Sequence, residues 1–183
     1  MSGWWWLAVV VVLAVLLGLY LSMTAGRLDR LHRRIDNSSA ALDVQLVKRS
    51  ALALDLASAG VFDPATTVVL ADSAHGARAA PDDDLVARGL AESDLTRVLV
   101  EALPSPSEVE DLRDEPEAAA MLDELRSTCL RVQLSRRFHN DAVRACRQVR
   151  KQRFVRWFRL AGRTPWPETL EMDDTPPPGI APR

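Results

Sequence analysis

Two cysteines and three histidines are the residues of this chain whose side chains most readily act as nucleophiles, bases or metal ligands. Cys129 and Cys146 are seventeen residues apart on one predicted helix, which separates them by about 25 Å, beyond the reach of a disulfide bond. His139 and Cys146 are about 10 Å apart along that helix, too far for direct proton transfer. We therefore expect the cysteines to be small core residues, with reactive or intermolecular thiols as the alternative.

The histidines also lack the spacing of metal sites. His32, His75 and His139 are scattered, without a His-x-x-x-His, Glu-x-x-His or Cys-x-x-Cys pair. Gly60, Gly76 and Gly89 are isolated from one another, so the sequence contains no glycine-rich phosphate-binding loop. These patterns predict a protein that is not an enzyme and binds no cofactor.

The near-neutral charge of the 183-residue chain, a formal net charge of -2, hides two opposite segments. Residues 82–124 carry fourteen acidic and three basic residues, whereas residues 126–163 carry twelve basic residues and one acidic residue. The length suggests one domain with accessory segments.

The N-terminal region predicts a membrane-spanning helix over residues 4–25. Eighteen consecutive apolar or glycine residues run from Trp4 to Leu21, and the uncharged stretch reaches about 33 Å as a helix. A buried core helix is disfavoured because the segment is apolar on every face. A cleavable signal peptide is the stronger alternative, although no basic residue precedes the apolar run and Met23-Thr24-Ala25 is a poor cleavage site.

The flanking charges predict the orientation of this helix. Four arginines follow the apolar run and none precedes it, so we expect residues 1–3 to lie outside the cell membrane and residues 27–163 in the cytoplasm. The three N-terminal tryptophans and Tyr20 suit the two membrane interfaces, or they simply add hydrophobic content. The prediction is a single-pass protein of the cell membrane.

Hydrophobic periodicity after the span predicts helices and almost no strands. The first helix continues to Gly60, with an apolar stripe at three- and four-residue spacing. That stripe consists of Leu28, Leu31, Ile35, Leu42, Leu46, Ala53, Leu56 and Ala59. A second helix is expected over 64–79 with Val68, Val69 and Ala71 as its apolar residues, although Thr66 to Val69 also suits a strand. A third is expected over about 83–103, with Leu85, Leu90, Leu95, Val98, Leu99 and Ala102 as its apolar residues.

The remaining chain predicts an acidic loop, a long fourth helix and a tail. Pro116 opens the helix, whose inward-facing positions recur at three- and four-residue steps: Leu122, Leu125, Cys129, Val132, His139, Val143 and Cys146. We expect it to continue past Phe158. Residues 164–183 form an acidic, proline-rich flexible tail that we expect to be extended or disordered. The predicted fold class is all-α: a transmembrane helix continuing into an antiparallel up-and-down four-helix bundle, domain 27–163.

Two segments of this sequence resemble the LemA family. The first combines Arg34-Ile35-Asp36-Asn37 with Leu42-Asp43-Val44-Gln45-Leu46-Val47-Lys48-Arg49, and the second is Arg136-Arg137-Phe138-His139-Asn140-Asp141-Ala142-Val143-Arg144. The short N-terminus with tryptophan, the single span and the acidic closing segment extend the likeness over roughly residues 3–174. The chain looks like a divergent member.

That resemblance implies a single-span bacterial membrane protein with a helical-bundle cytoplasmic domain and no established catalytic activity. Family members are sometimes encoded beside membrane metalloproteases. The expected function is therefore a membrane-anchored adaptor or scaffold, whose partners are the lipid bilayer and other membrane or cytoplasmic proteins. An accessory subunit of a membrane enzyme, such as a protease in envelope quality control, is the alternative.

The polar residues inside these motifs are candidate site residues: Asp36, Asn37, Asp43, Gln45, Arg136, Asn140 and Asp141. We expect Asp43, Gln45 and Arg136 to face the seam between the first and fourth helices, where hydrogen bonds would fix the register. A partner-binding patch and a catalytic carboxylate site are the alternatives.

The basic stretch 144–163 interleaves arginines with aromatic residues. This pattern is typical of an interfacial helix on anionic lipid, with Arg150, Arg153, Arg156, Trp157, Phe158 and Arg159 as the lipid-surface residues. Alternatively, the aromatic residues cap the bundle while the arginines pair with the acidic segment 82–124. Nucleic acid is not expected as a partner, since no binding fold accompanies the basic residues.

Overall fold

The computed structural model describes residues 3–162 and 164–181, and every regular element in these ranges is helical. The elements are α1 (Gly3–Ser58), α2 (Pro64–Ala79), α3 (Leu85–Ala102), α4 (Pro106–Leu112), α5 (Pro116–Arg150), α6 (Arg153–Trp157) and a 3-10 turn at Pro178–Ile180. The all-α class is confirmed, while the antiparallel four-helix arrangement stays a prediction.

Helix α1 contains the N-terminal apolar segment. Its most apolar 18-residue window has a mean hydropathy of 2.6, and none of that window is buried. Within the described residues α1 is the one helix that is long and apolar enough to cross a membrane. Residues 1 and 2 of the predicted outward N-terminus lie outside the described residues.

The chain divides into two compact units. The first unit comprises Met1–Asn37 and Asp141–Pro167, and the second comprises Ser38–Asn140 and Glu168–Arg183. Helices α1 and α5 each contribute residues to both units.

The second unit has a core to which five helices contribute. Leu56 of α1, Leu70 of α2, Leu99 of α3, Val109 of α4 and Leu125 of α5 are all buried in it. The helices begin where the sequence supplies caps: the Asp63 side chain accepts hydrogen bonds from two amides at the start of α2, and the Asp84 side chain does the same for α3. Gly60, with φ of +73°, ends the turn after α1, as its position predicts.

The predicted apolar stripes are confirmed for α1 and α5 and are partly wrong for the shorter helices. Leu28 to Leu56 on α1 and Leu122 to Cys146 on α5 turn their stripes inward, except that Ala59 is exposed beyond the end of α1. In α2, Val68 and Val69 are exposed, because the buried face is formed by Leu70, Ala74 and Ala77. Leu90 of α3 is also exposed.

The predicted acidic loop before α5 contains the short helix α4. The Ser105 side chain caps it by accepting a hydrogen bond from the Glu108 amide, and Pro106 occupies its first position. Val109 is 1% exposed, so one buried valine anchors this helix despite its acidic neighbours.

Helix α5 ends at Arg150 and does not continue past Phe158 as predicted. The chain turns at Lys151 and Gln152 before the short α6. Val155 of α6 is buried with Leu28, Cys146 and Val149 in the core of the first unit. Burying Val155 there requires the chain to turn back, which explains the break.

The closing segment, residues 168–181, is largely extended, which agrees with one of the two predicted alternatives, but it is packed rather than flexible. Leu170 and Ile180 are 2% and 3% exposed. Leu170 packs with Leu42, Leu46 and Val132, and side chains of α3 and α5 hydrogen-bond to the backbone of this segment. The composition gives no sign of these polar partners, so it predicts a flexible tail. The partners supply the backbone hydrogen bonds that a proline-rich segment cannot make within itself.

Candidate functional site

The first unit presents a basic and aromatic surface around α6. We define the α6 surface as Arg153, Phe154, Arg156, Trp157, Phe158 and Arg159. Trp157 is 85% exposed, and Phe154 and Phe158 are about half exposed. The side chains of these three arginines make no ion pair or side-chain hydrogen bond within the described residues. The surface therefore combines free guanidinium groups with exposed rings.

An aromatic contact attaches this surface to the apolar helix. The ring of Phe154 packs edge-to-face on Tyr20, with centroids 6.0 Å apart and planes inclined by 77°. Val155, the next residue of α6, is buried against Leu28 of α1. Within the first unit, α6 is thus held beside the segment of α1 where the apolar run gives way to arginines.

A cavity of about 470 Å³ adjoins the α6 surface. Its lining consists of Arg150, Lys151, Val155, Arg156, Arg159, Ala161, Gly162 and Trp166. The guanidinium of Arg150 lies 5.1 Å from the centroid of the Trp166 ring and donates hydrogen bonds to the carbonyl oxygens of Thr164 and Pro165. Arg159 adopts a φ of +49°, which is uncommon for a residue with a side chain. Four basic side chains thus converge on one cavity, and such a set suits an anion.

The two units carry opposite charge. The first unit contains twelve basic and three acidic residues, whereas the second contains eleven basic and twenty-two acidic residues. Three carboxylates of the acidic segment 82–124 pair with cations outside the α6 surface: Glu92 with Arg49, Asp123 with Arg113 and Glu124 with Lys48.

The motif residues of α1 do not form one cluster. Asp36 and Asn37 are exposed. Asp43 forms an ion pair with Arg88 of α3 at 2.8 Å. Its partner therefore lies on α3 and not on α5, the helix that the predicted seam involves. The Oε1 atom of Gln45 is buried and has no hydrogen-bond partner among the described residues.

Two motif residues of α5, Arg136 and Asn140, have their hydrogen-bond partners in the closing segment and not on α1. The Arg136 guanidinium binds both carboxylate oxygens of Asp174, at 2.8 and 2.9 Å. Asn140, 4% exposed, hydrogen-bonds through its side-chain amide to both the amide and the carbonyl of Leu170. Asp141 is exposed and pairs with Arg144 one turn along the helix. The register-fixing role expected of Arg136 is therefore directed at residues 170–174.

Sequence reasoning missed a buried polar network next to this segment. Arg49 of α1 and Glu92 of α3 are each 2% exposed and form an ion pair at 2.5 Å. Arg49 also donates to the Thr96 hydroxyl, which bonds to the carbonyl of Asp173. Burial raises the pKa of Glu92, and the Arg49 guanidinium offsets only part of that effect. The available signal was the lone arginine inside the apolar stripe of α1.

The cysteines and His139 are core residues. Burial raises the pKa of both Cys129 and Cys146, so each is a neutral thiol. His139 is 6% exposed, and its Nδ1 lies 3.5 Å from the Ser38 hydroxyl. The described residues contain no cluster of three His, Cys, Asp or Glu side chains with the geometry of a metal site.

The second unit also exposes an apolar groove between α1 and α5. We define the α1–α5 groove by its lining residues: Ala41, Val44, Gln45, Arg131, Leu134, Ser135 and Phe138. Val44, Leu134 and Phe138 are 62%, 52% and 53% exposed, and the groove holds about 380 Å³. Apolar side chains at this exposure mark a surface suited to protein contact.

Comparison with protein families, with curated proteins and with solved structures gives no match to this chain.

Proposed function

We propose that this chain is a single-pass membrane protein, with its N-terminus outside and its charged helical part in the cytoplasm. Every side chain from Gly3 to Tyr20 is exposed, which leaves a long apolar surface unburied by protein. Such a surface is stabilised by lipid, at about 25 cal/mol per Å² removed from water. A core helix would be largely buried. The arginines that begin at Arg27 support the orientation.

We further propose that the chain acts as a LemA-like adaptor or scaffold without catalytic activity of its own, built as an antiparallel four-helix bundle. The observation that carries this proposal is the exposed α1–α5 groove. Parallel rows of apolar side chains on two neighbouring helices form the kind of groove that accepts an amphipathic helix of a partner. The groove includes Val44, Gln45 and Phe138, which belong to the two motifs that resemble LemA.

Membrane integration and topology test the first part of the proposal. A cytoplasm-active reporter attached after Arg183 should be active, and the chain should stay in the membrane after alkaline extraction at its full size. A signal peptide would instead give a shortened chain in the soluble fraction. Activity of an extracytoplasmic reporter at the same position would contradict the proposed orientation and would mean that the adaptor lies outside the cytoplasm.

Photo-crosslinking tests the adaptor role. A photoreactive residue in place of Val44 should give a discrete protein adduct in native membranes, and Leu134→Asp should abolish it. The control is a photoreactive residue at Val86, which is 72% exposed on α3 away from the groove. Because Leu134 is half exposed, Leu134→Asp should leave the melting temperature nearly unchanged. A Val44 adduct that persists in Leu134→Asp, or that Val86 gives equally, would contradict the proposal.

The alternative enzyme class makes a different prediction. An accessory subunit of a membrane enzyme would change that enzyme's activity when Leu134 is replaced by Asp, whereas a chain with its own active site would lose activity on substitution of a motif carboxylate such as Asp36.

A second candidate function, recognition of an anionic lipid surface, is favoured by the free arginines and exposed rings of α6.

A further inference from the structure

We propose that the α6 surface lies in the headgroup layer of the membrane, beside the end of the apolar segment of α1, and binds anionic phospholipid headgroups. The inference rests on the membrane span proposed above. It assigns a ligand class, the lipid phosphate, to residues that the helical cores do not use.

The depth of α6 follows from its contacts with α1. Phe154 packs on Tyr20 inside the apolar run, and Val155 packs on Leu28 just after the first arginine. Tyr20 and Arg27 are about 10 Å apart along a helix axis. The headgroup layer on one side of a bilayer is about 5–8 Å thick. The two contacts of α6 bracket the end of the apolar run, so α6 lies at the level where the acyl chains meet that layer.

The exposed side chains of α6 match the chemistry of that layer. Trp157 is 85% exposed and lies beside two half-exposed phenylalanines, so the described residues leave much of these rings uncovered. Aromatic rings concentrate at the membrane interface, where the ring meets acyl chains and its edge stays hydrated. In the lipid layer the same rings are buried.

The arginines of α6 supply the binding of phosphate. Arg156 and Arg159 line the cavity of about 470 Å³ together with Arg150 and Lys151. Guanidinium groups bind phosphate oxygens in pairs, and those of Arg156 and Arg159 have no acidic partner among the described residues. The cavity is therefore suited to a phosphate headgroup rather than to an internal ion pair.

Charge favours an anionic membrane over a neutral one. The first unit has nine more basic than acidic residues, and the apolar segment belongs to this same unit. Each Lys or Arg near an anionic surface contributes roughly a fivefold preference for it. Nucleic acid would satisfy the same charges, but it does not explain the position of α6 against the end of the apolar run.

Lipid photo-crosslinking in the full chain tests the inference. The protein, with a photoreactive residue replacing Trp157, is reconstituted into vesicles of phosphatidylcholine alone or mixed with phosphatidylglycerol. We expect a phosphatidylglycerol adduct at this position, and an at least tenfold lower yield in the triple variant Arg153→Gln, Arg156→Gln, Arg159→Gln. The matched control, Arg78→Gln, Arg97→Gln, Arg137→Gln, removes the same charge from exposed positions and should keep the yield.

Alkaline extraction of the same vesicles separates this inference from the proposed span. An integrated chain whose position 157 gives no lipid adduct overturns the inference and leaves the span standing. An integrated chain with equal adducts in both lipid mixtures overturns the anionic specificity. Loss of the adduct on adding inorganic phosphate or RNA overturns the lipid assignment in favour of a soluble anion. A chain that is extracted and gives no adduct contradicts both proposals, while an extracted chain that gave the adduct supports a peripheral lipid contact without a span.

Discussion

The side chain of Asn140 forms two hydrogen bonds with the backbone of Leu170: its Nδ2 donates to the Leu170 carbonyl at 3.1 Å, and its Oδ1 accepts from the Leu170 amide at 3.0 Å. One amide side chain thus pairs with the closing segment as a neighbouring strand would. Both residues are buried, so water does not replace these bonds. The contact explains why a proline-rich segment has one defined register on α5.

Asn140→Ala should detach the closing segment at Leu170. The variant leaves a buried amide and a buried carbonyl unpaired, and we expect the free energy of unfolding to fall by about 2–3 kcal/mol. Denaturant unfolding in detergent measures this change, and protease cleavage near residue 170 should become faster. The neighbouring exposed residue provides the control, since Asp141→Ala should change stability by less than about 0.5 kcal/mol. Equal effects of the two substitutions would contradict the role of Asn140.

Two glycine substitutions should have opposite effects. A Cβ at Gly89 of α3 would clash with the carbonyl oxygen of Glu171, so Gly89→Ala must push the closing segment away and should cost about 1–3 kcal/mol. A Cβ at Gly76 of α2 would meet nothing within 4 Å, so Gly76→Ala should stabilise the helix by about 0.5–1 kcal/mol. Melting temperatures of the two variants should shift in opposite directions. A shift of the same sign would mean that the segment does not approach α3 this closely.

The helices could be predicted because their signals are local. Asp63-Pro64 fixes the start of α2, Pro116 fixes the start of α5, and periodic apolar residues identify the buried stripes of both long helices. The break after Arg150 could not be predicted this way. It depends on Val155 reaching a core that includes Leu28, more than a hundred residues earlier in the chain.

The candidate sites also differ in whether their signals are local or depend on distant residues. The aromatic and basic residues of α6 could be singled out from the sequence because they alternate within one short segment, and their role at a lipid surface stays a prediction. The partners of Arg136 and Asn140 could not be predicted, since composition suggested a flexible tail and gave no sign of the α3 and α5 side chains that bind its backbone. Periodicity identifies which face is buried, but it does not say which distant segment covers that face.

Both cysteines should resist alkylation in the folded chain. Cys129 and Cys146 are 4% and 0% exposed, and burial raises the pKa of each thiol, so neither access nor thiolate is available. Treatment with iodoacetamide followed by mass spectrometry should find both unmodified at neutral pH and both modified in denaturant. Ser107→Cys, on the exposed side of α4, supplies a thiol that should react under native conditions. Rapid native modification of Cys129 or Cys146 would revive the reactive-thiol alternative.

Arg49 should be far more important for stability than its exposed counterparts. Arg49→Met leaves the buried Glu92 carboxyl without its ion-pair partner, and we expect a loss of about 3–5 kcal/mol. The control is Arg97→Met, because Arg97 also pairs with an acidic residue of α3 but is 62% exposed, and that loss should stay below about 1 kcal/mol. The double variant Arg49→Met, Glu92→Met should recover much of the loss, since neither member of the buried pair is then charged. Denaturant unfolding of the three variants measures these differences in the free energy of unfolding.

The buried Glu92 should also make stability fall as pH rises. Burial raises its pKa in the folded chain, with Arg49 opposing that effect, so the folded chain keeps this proton to a higher pH than the unfolded chain does. Between the ordinary glutamate pKa and the raised one, the unfolded state gives up the proton first and is favoured by each increase in pH, by up to about 1.4 kcal/mol per pH unit. Below the ordinary pKa both states hold the proton and the effect vanishes.

Glu92→Gln isolates this term because every other titrating group is shared with the parent chain. The unfolding free energy of the parent minus that of Glu92→Gln should decrease from acidic pH toward neutral pH, as followed by denaturant titration across that range. An increase over the same range would mean that the ion pair with Arg49 outweighs burial and lowers the pKa of Glu92, since a lowered pKa makes the folded state lose its proton first. The sign of this difference therefore reports whether burial or the guanidinium dominates at the junction of α1, α3 and the closing segment.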